Sequence, residues 1–427
     1  MKLNILFLFS FIFLAQATLA QPLTKASKGT YVLTNATIVT VTNGTVEGDL
    51  LIQNGQIAAI GEVNAPSGAE TIDCSGHFIY PGMIDGNTQL GLAEVSSVNL
   101  TVDHNETGSF NPQMQALTAV NPNAVAIPVT RVGGVTTVVA MPTSGLFPGT
   151  ASLVNLVGYT PNQMYAGFKG LALNWPGGGR RGWWDSRTDA AIAKQNAEAM
   201  KNLNDIMDRA ALMAKIMDSG QTPDYNPEIA AIVPVVKGEM PLMINVNRST
   251  DITKAIKWAK DRKIEKVILI GVREGWRVAK EIADAGFPVV TGPILATPTR
   301  TSDRYDRAYA NPGIMQKAGV KVAITSGETE NVRNLPFNAG FAAAYGMGKE
   351  EALKAVTINP AEIFGVADQI GSLEVGKKAN LFVSDGDPFE TKSQIKYVFI
   401  DGWQVPMDSR HIRLYDEFLE RSPGLRK

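Results

Sequence analysis

Two textures of hydrophobic patterning divide the chain. Over residues 30–80 the apolar runs are short: Tyr31-Val32-Leu33, Thr37-Ile38-Val39-Thr40-Val41 and Asp49-Leu50-Leu51-Ile52. They are rich in β-branched residues and punctuated by Gly44, Gly48 and Pro66, which is the texture of strands and turns. Asn54-Gly55, between Leu51-Ile52 and Ile57-Ala58-Ala59-Ile60, predicts a tight hairpin. From about residue 81 the texture changes. Apolar runs at 83–85, 135–140, 170–173, 242–245, 266–270, 287–290 and 321–324 read as strands. Helical candidates occupy 188–218, 250–262, 275–286, 313–319, 335–346 and 349–357. Near-continuous apolar strands separated by helices argue for a parallel sheet. Seven or eight such units favour an α/β fold of the (β/α)8 TIM barrel kind. A further run, 151–157, reads as a strand of an insertion. In the longest helix, Ala193, Ala197, Met200, Leu203, Met207, Ala211 and Met213 recur at helical spacing and predict a core stripe. Strand texture returns at Gly371–Val383.

Residues 1–20 have the pattern of a leader. Lys2 gives a basic start, Leu3 to Leu14 is almost wholly apolar, and Ala17-Thr18-Leu19-Ala20 offers small residues for cleavage after Ala20. The expectation is an exported chain, periplasmic or secreted. The formal net charge of −1 leaves no basic excess for nucleic acid, and no polybasic patch for a membrane once the leader is removed. Cys74 is the only cysteine, so no disulfide can form within the chain, and it is expected as a small buried residue.

Three scaffold motifs carry a family resemblance. Pro81-Gly82-Met83-Ile84-Asp85-Gly86-Asn87-Thr88-Gln89 resembles the first-strand signature Pro-Gly-x-Ile-Asp-x-His-x-His of the amidohydrolase superfamily. Thr357-Ile358-Asn359-Pro360-Ala361 and the tail Gly371-Ser372-Leu373-Glu374-Val375-Gly376-Lys377-Lys378-Ala379-Asn380-Leu381 are similar to later family motifs. The likeness covers roughly residues 30–407 and is nearest to imidazolonepropionase-like and dipeptidase-like members. It implies a barrel over 81–365, a composite β-sandwich built from 30–80 and 366–407, and a separate tail at 408–427. It also implies an ancestral activity of C–N bond hydrolysis on cyclic amides or short peptides.

The same resemblance assigns the metal-binding slots, and in this chain they hold other residues. Asn87 and Gln89 replace the paired histidines after strand one. Asn245 and Asn247 stand in Ile244-Asn245-Val246-Asn247-Arg248, which resembles Ile-His-Ala-His-Arg after strand five. Gly271 takes the histidine slot after strand six, and Gly327 the aspartate slot after strand eight. Lys169 lies close to the slot of a bridging lysine. Hydrolysis of this class needs a cation held by imidazole and carboxylate to activate water. Of three histidines only His104 falls within the barrel region, so zinc or another divalent metal is not expected. Neutral amides carry no charge to offset a dication, and Ca²⁺ or Mg²⁺ prefers carboxylates.

Other candidates remain. His104, flanked by Asp103 and Glu106, together with Glu328 near the missing aspartate, would offer an unconventional acid–base pair. Arg180 and Arg181 lie in the loop Trp175-Pro176-Gly177-Gly178-Gly179-Arg180-Arg181-Gly182-Trp183-Trp184, which combines flexible glycines, carboxylate-gripping forks and stacking faces. Two readings follow. In the first, the chain is a non-catalytic homologue that binds a small-molecule or peptide ligand at the barrel mouth. Its protein partner would be an active amidohydrolase paralogue or a second copy. In the second, it is a working hydrolase of a C–N bond with an unconventional site.

Overall fold

The computed structural model describes residues 25–179 and 185–421. The leader, Arg180 and Arg181 lie outside the described residues. Eight strands form one sheet in sequence order: β1 Met83–Thr88, β2 Val135–Ala140, β3 Gly149–Asn155, β4 Tyr165–Asn174, β5 Leu242–Val246, β6 Val267–Gly271, β7 Val289–Thr291 and β8 Val322–Ile324. Parallel ladders join β1 to β2 and run unbroken from β4 to β8. The barrel departs from the expected pattern at β3. The run at 151–157, expected as an insertion, is a full member of the sheet, and it pairs antiparallel with both neighbours. Its residues are buried on both faces, so burial alone resembles that of its parallel neighbours.

Alternation decides what fills the interior. Ile84, Val139, Leu153, Phe168, Ala172, Met243, Ile270, Val290 and Ala323 pack into one cluster from all eight strands. Ala361, Phe364, Val366 and Ile370 join the same cluster as a floor. Residues 366–370, expected in the sheet domain, therefore serve the barrel. Outside it, helix α1 (Asp189–Asp218) is capped by Thr188, whose hydroxyl accepts the Ala191 N–H at 3.1 Å. Leu203, Met207 and Met213 of the expected stripe are buried with Ile206 and Ala210, whereas Ala193 and Ala197 are exposed. The second half of α1 thus packs on the core, while in its first half Ile192 is buried and most other residues face solvent.

A second sheet, of nine strands, joins both ends of the chain. Leu381–Ser384 pairs antiparallel with Phe78–Pro81, Phe382 opposite Tyr80, and Tyr31–Val39 carries the hairpin partners Thr45–Gln53 and Gln56–Gly61. Tyr31, Leu33, Leu50, Ile52, Ile79, Leu381 and Phe399 form its core, with Cys74 fully buried among them. Asn54 and Gly55 both take positive φ, 55° and 82°, as a two-residue hairpin of this twist requires.

The barrel closes without a backbone ladder between β1 and β8. Asp85, fully buried, spans the seam. Its Oδ2 accepts the Ser326 N–H at 3.0 Å, and its Oδ1 accepts the Asn87 N–H at 3.3 Å and meets the Thr325 hydroxyl. Thr325 Oγ1 also lies 2.8 Å from the Asn87 carbonyl and accepts the Gly327 N–H at 3.1 Å. A hydroxyl has one proton. If Asp85 is protonated, its O–H can donate to Thr325 while Thr325 donates to Asn87, and every group in the seam is satisfied. Burial pushes the Asp85 carboxyl up to about 6, against the downward pull of Ser326, Thr325 and Asn87. A carboxyl whose folded pKa is raised above its ordinary 3.8 stabilises fully below that value, and the contribution is lost as pH climbs through about 6. The loss amounts to roughly 3 kcal/mol across that window. The expected outcome for Asp85→Asn is a chain whose unfolding free energy is flatter than wild type between about pH 4 and pH 7, read by urea titration at each pH. The variant should also be weaker than wild type at the acid end by about 1–3 kcal/mol, because its NH2 meets a backbone N–H. Equal pH slopes for the two proteins would refute the assignment.

Candidate functional site

Active sites of this fold gather where the strands end, and here those ends carry amides. The registers of β4, β5 and β6 set Asn174 opposite Asn245, and Val246 opposite Gly271. Asn245 Nδ2 donates to Asn174 Oδ1 at 3.1 Å, and Asn247 Nδ2 donates to Asn245 Oδ1 at 3.4 Å. Two backbone bonds hold the second and third members of this chain of amides: Trp175 N–H donates to the Asn245 carbonyl at 3.1 Å, and Glu274 N–H to that of Asn247 at 2.9 Å. Asn247 Oδ1 is buried without a hydrogen-bond partner. It points at Gly271, where an added Cβ would stand only 2.4 Å away. Gly271 also has a φ of 85°, a region that suits glycine. The β5 and β6 slots are thus brought together and filled by one another.

Asn87 and Gln89 belong to the other side of the mouth. The Asp85 seam fixes them beside β8, where Gln89 N–H donates to the Glu328 carbonyl at 3.3 Å. Gly327, in the aspartate slot, has a φ of 65°, and a Cβ there would lie 3.0 Å from Pro293 Cδ. Lys169 is not part of the mouth. Phe168 packs inside the barrel, so alternation turns Lys169 to the outer face, where Nζ donates to Gln115 Oε1 at 3.0 Å. The strand-four tip is instead Asn174, which sequence reasoning missed; its signal is its register with Asn245.

The expected pairing of His104 with Glu328 is not seen among the described residues. His104 Nδ1 lies 2.8 Å from Thr143 Oγ1, and the Thr143 N–H donates to the His104 carbonyl at 2.8 Å. Burial lowers the imidazole's pKa, against a smaller upward pull from its own backbone and Asp103. The ring tethers the long loop after β1 to the β2–β3 connection. Among the described residues no three His, Cys, Asp or Glu side chains converge as a metal would require. The donor set at the strand tips does not fit a zinc ion: it offers neutral amides and glycines, and Asn247 occupies the space in which a side chain at 271 would begin.

Two further groups frame the mouth. Glu274 is 1% exposed; its carboxylate accepts the Ser249 N–H at 2.9 Å at the start of α2 (Ser249–Asp261) and pairs with Arg300 Nε at 2.6 Å. Burial opposes its charge, yet Arg300 and Ser249 hold its carboxyl below the ordinary value. Beside the β5 tip opens a polar cavity of about 340 Å³ lined by Gly177, Gly178, Gly179, Arg187, Asn196 and Arg248. Asp251 Oδ2 accepts the Gly178 N–H at 2.8 Å and Asn196 Nδ2 donates to its carbonyl at 3.0 Å, so α1 and α2 together hold the glycine loop.

The barrel, the composite sheet and the mouth geometry define a hydrolase-type scaffold whose ligand slots hold amides. Residues 78–405 match the family model described as "Amidohydrolase family", and the chain belongs to that family. Over 81 residues it is 44% identical to a D-hydantoinase of Geobacillus stearothermophilus, a stretch that is 19% of this chain and 17% of that protein. Over 111 residues it is 33% identical to an imidazolonepropionase of Syntrophobacter fumaroxidans, 25% of each protein. The chain thus matches a quarter or less of the length of these relatives. The crystal structure of an amidohydrolase from Thermotoga maritima superposes with a TM-score of 0.76 at 27% identity, covering 88% of this chain and 99% of that one.

The closeness of Gly271 to Asn247 gives a direct test. Gly271→Ala should cost about 1–3 kcal/mol in urea unfolding, from its positive φ together with the clash. Adding Asn247→Ala should return the part due to the clash. A double variant no more stable than Gly271→Ala alone would show that the two side chains do not meet.

Proposed function

We propose that this chain is an exported amidohydrolase-family protein that binds a small-molecule or peptide ligand at the barrel mouth without hydrolysing it. The observation that carries the reading is the chain of part-exposed amides Asn174–Asn245–Asn247 at the strand tips, closing over Gly271. Amides that present both N–H and C=O suit a neutral polar ligand, such as a cyclic amide or a peptide group, and they hold it by hydrogen bonds rather than by charge. The relatives named D-hydantoinase and imidazolonepropionase support cyclic amides as the ligand class. The leader pattern over residues 1–20 supports export. An active paralogue is a natural partner for such a subunit.

The test combines metal content with turnover. The purified chain is incubated with zinc, desalted and analysed by mass spectrometry of the metal, then assayed on hydantoin, an imidazolone and Xaa-Pro dipeptides. The expected result is zinc far below one per chain and no hydrolysis above buffer, while hydantoin raises the melting temperature of wild type but not of Asn247→Ala. Near-stoichiometric zinc with turnover would overturn the proposal, and so would metal-free turnover abolished by His104→Ala. The export arm is checked separately: the mature protein should begin at Gln21 on N-terminal sequencing.

A further inference from the structure

We infer that Arg248 and the polar cavity beside the β5 tip form a carboxylate subsite, so that the ligand held by the amides of the mouth is an acid: a cyclic amide or peptide bearing one carboxylate. The inference rests on the reading of the mouth as a ligand site; the amides take the neutral part of the ligand and Arg248 the charged part. Arg248 directly follows Asn247, and consecutive Cα atoms stand about 3.8 Å apart. Asn247 turns toward Gly271 on β6. Arg248 turns to the glycine loop after β4, where a Cβ added at Gly179 would stand 2.3 Å from its Nη1. Its backbone is pinned, because the Arg248 carbonyl accepts the N–H groups of Asp251 at 3.0 Å and Ile252 at 2.8 Å at the start of α2. The guanidinium itself makes no hydrogen bond or ion pair among the described residues. By contrast Arg262, Arg277, Arg300 and Arg304 each hold a carboxylate.

The cavity gives that charge its meaning. Among the described residues the lining of this space of about 340 Å³ holds two arginines and no acid. Arg187 is already matched: Nε and Nη2 fork the Asp185 carboxylate at 2.9 and 2.6 Å, and Nη1 donates to Gln195 Oε1 at 2.7 Å. Asp251, three residues beyond Arg248, faces the loop instead, where its Oδ2 accepts the Gly178 N–H at 2.8 Å. One positive charge is therefore left unmatched in a recess, where it is screened less than on an open surface. A guanidinium presents a planar fork of N–H groups that fits the two oxygens of a carboxylate. Gln195, whose carbonyl Arg187 takes, keeps its NH2 as a further donor in the same lining. One monoanion balances the one charge. A phosphate dianion would bring a second negative charge toward Asp251 with no second unmatched arginine in the lining to balance it.

Binding of hydantoin, hydantoin-5-acetate and the methyl ester of that acid to the purified chain is measured by titration calorimetry at neutral pH. The acid should bind at least about tenfold tighter than the ester. Arg248→Gln should bring the two within about twofold, while Arg248→Lys should keep part of the gap, an order set by charge rather than by folding. Gly179→Ala, whose methyl group displaces the guanidinium, should narrow the gap at an unchanged melting temperature. Arg273→Gln removes an equal charge near the β6 tip, beside a separate cavity of about 20 Å³, and should leave the gap intact. Inorganic phosphate at equal ionic strength should not displace the acid. Binding of hydantoin and the ester with no gain for the acid would overturn this inference alone. So would a gap indifferent to Arg248, a gap lost equally in Arg273→Gln, or displacement by phosphate, which would reassign the cavity to a free anion. If none of the three compounds binds, the ligand reading of the mouth falls, and the subsite with it.

Discussion

The barrel depends on a carboxyl placed where a ladder should be. β1 and β8 come together through Asp85, Thr325 and Ser326 rather than through successive backbone pairs. A sheet closed this way has its seam in a few polar groups, in a setting where an unmatched hydrogen bond costs more than a matched one contributes. The same contacts fix the position of both strand tips. Asn87 gives its N–H and its carbonyl to the seam, and Gly327 gives its N–H. Closure of the fold and geometry of that side of the mouth are therefore one constraint.

The opposite side of the mouth rests on a different device. There the amide side chains order one another, and the N–H groups of Trp175 and Glu274 hold the carbonyls of Asn245 and Asn247. An imidazole at 271 would have to displace Asn247 from a space that is already closed. Asn174, Asn245, Asn247 and Gly271 thus form one interlocked set of residues. The scaffold motifs do not report this, because they bear on turns and strand starts.

The sequence was most legible where local chemistry dictates geometry. Asn54-Gly55 predicts its hairpin because only such a pair accepts two positive φ angles cheaply. The apolar runs locate all eight barrel strands. The direction of β3 was not legible, since a strand buried on both faces carries no mark of parallel or antiparallel pairing. Lys169 was misplaced because a one-residue register difference moves a side chain to the other face. Val366 and Ile370 were placed in the wrong layer because apolar residues fit a barrel floor as well as a sheet core. His104 offered its flanking acids as a signal, yet its bond to Thr143 depends on two loops meeting, which no local pattern encodes.

The reversed strand has a consequence for how the molecule assembles. β2, β3 and β4 form a meander joined by short connections, whereas parallel neighbours must wait for a long crossover to fold back. Pairings close in sequence lose the least loop entropy and form earliest. Residues 135–174 therefore close their ladders across the shortest connections in the barrel, while the strands that Asp85 and Thr325 join stand at the two ends of the sheet order.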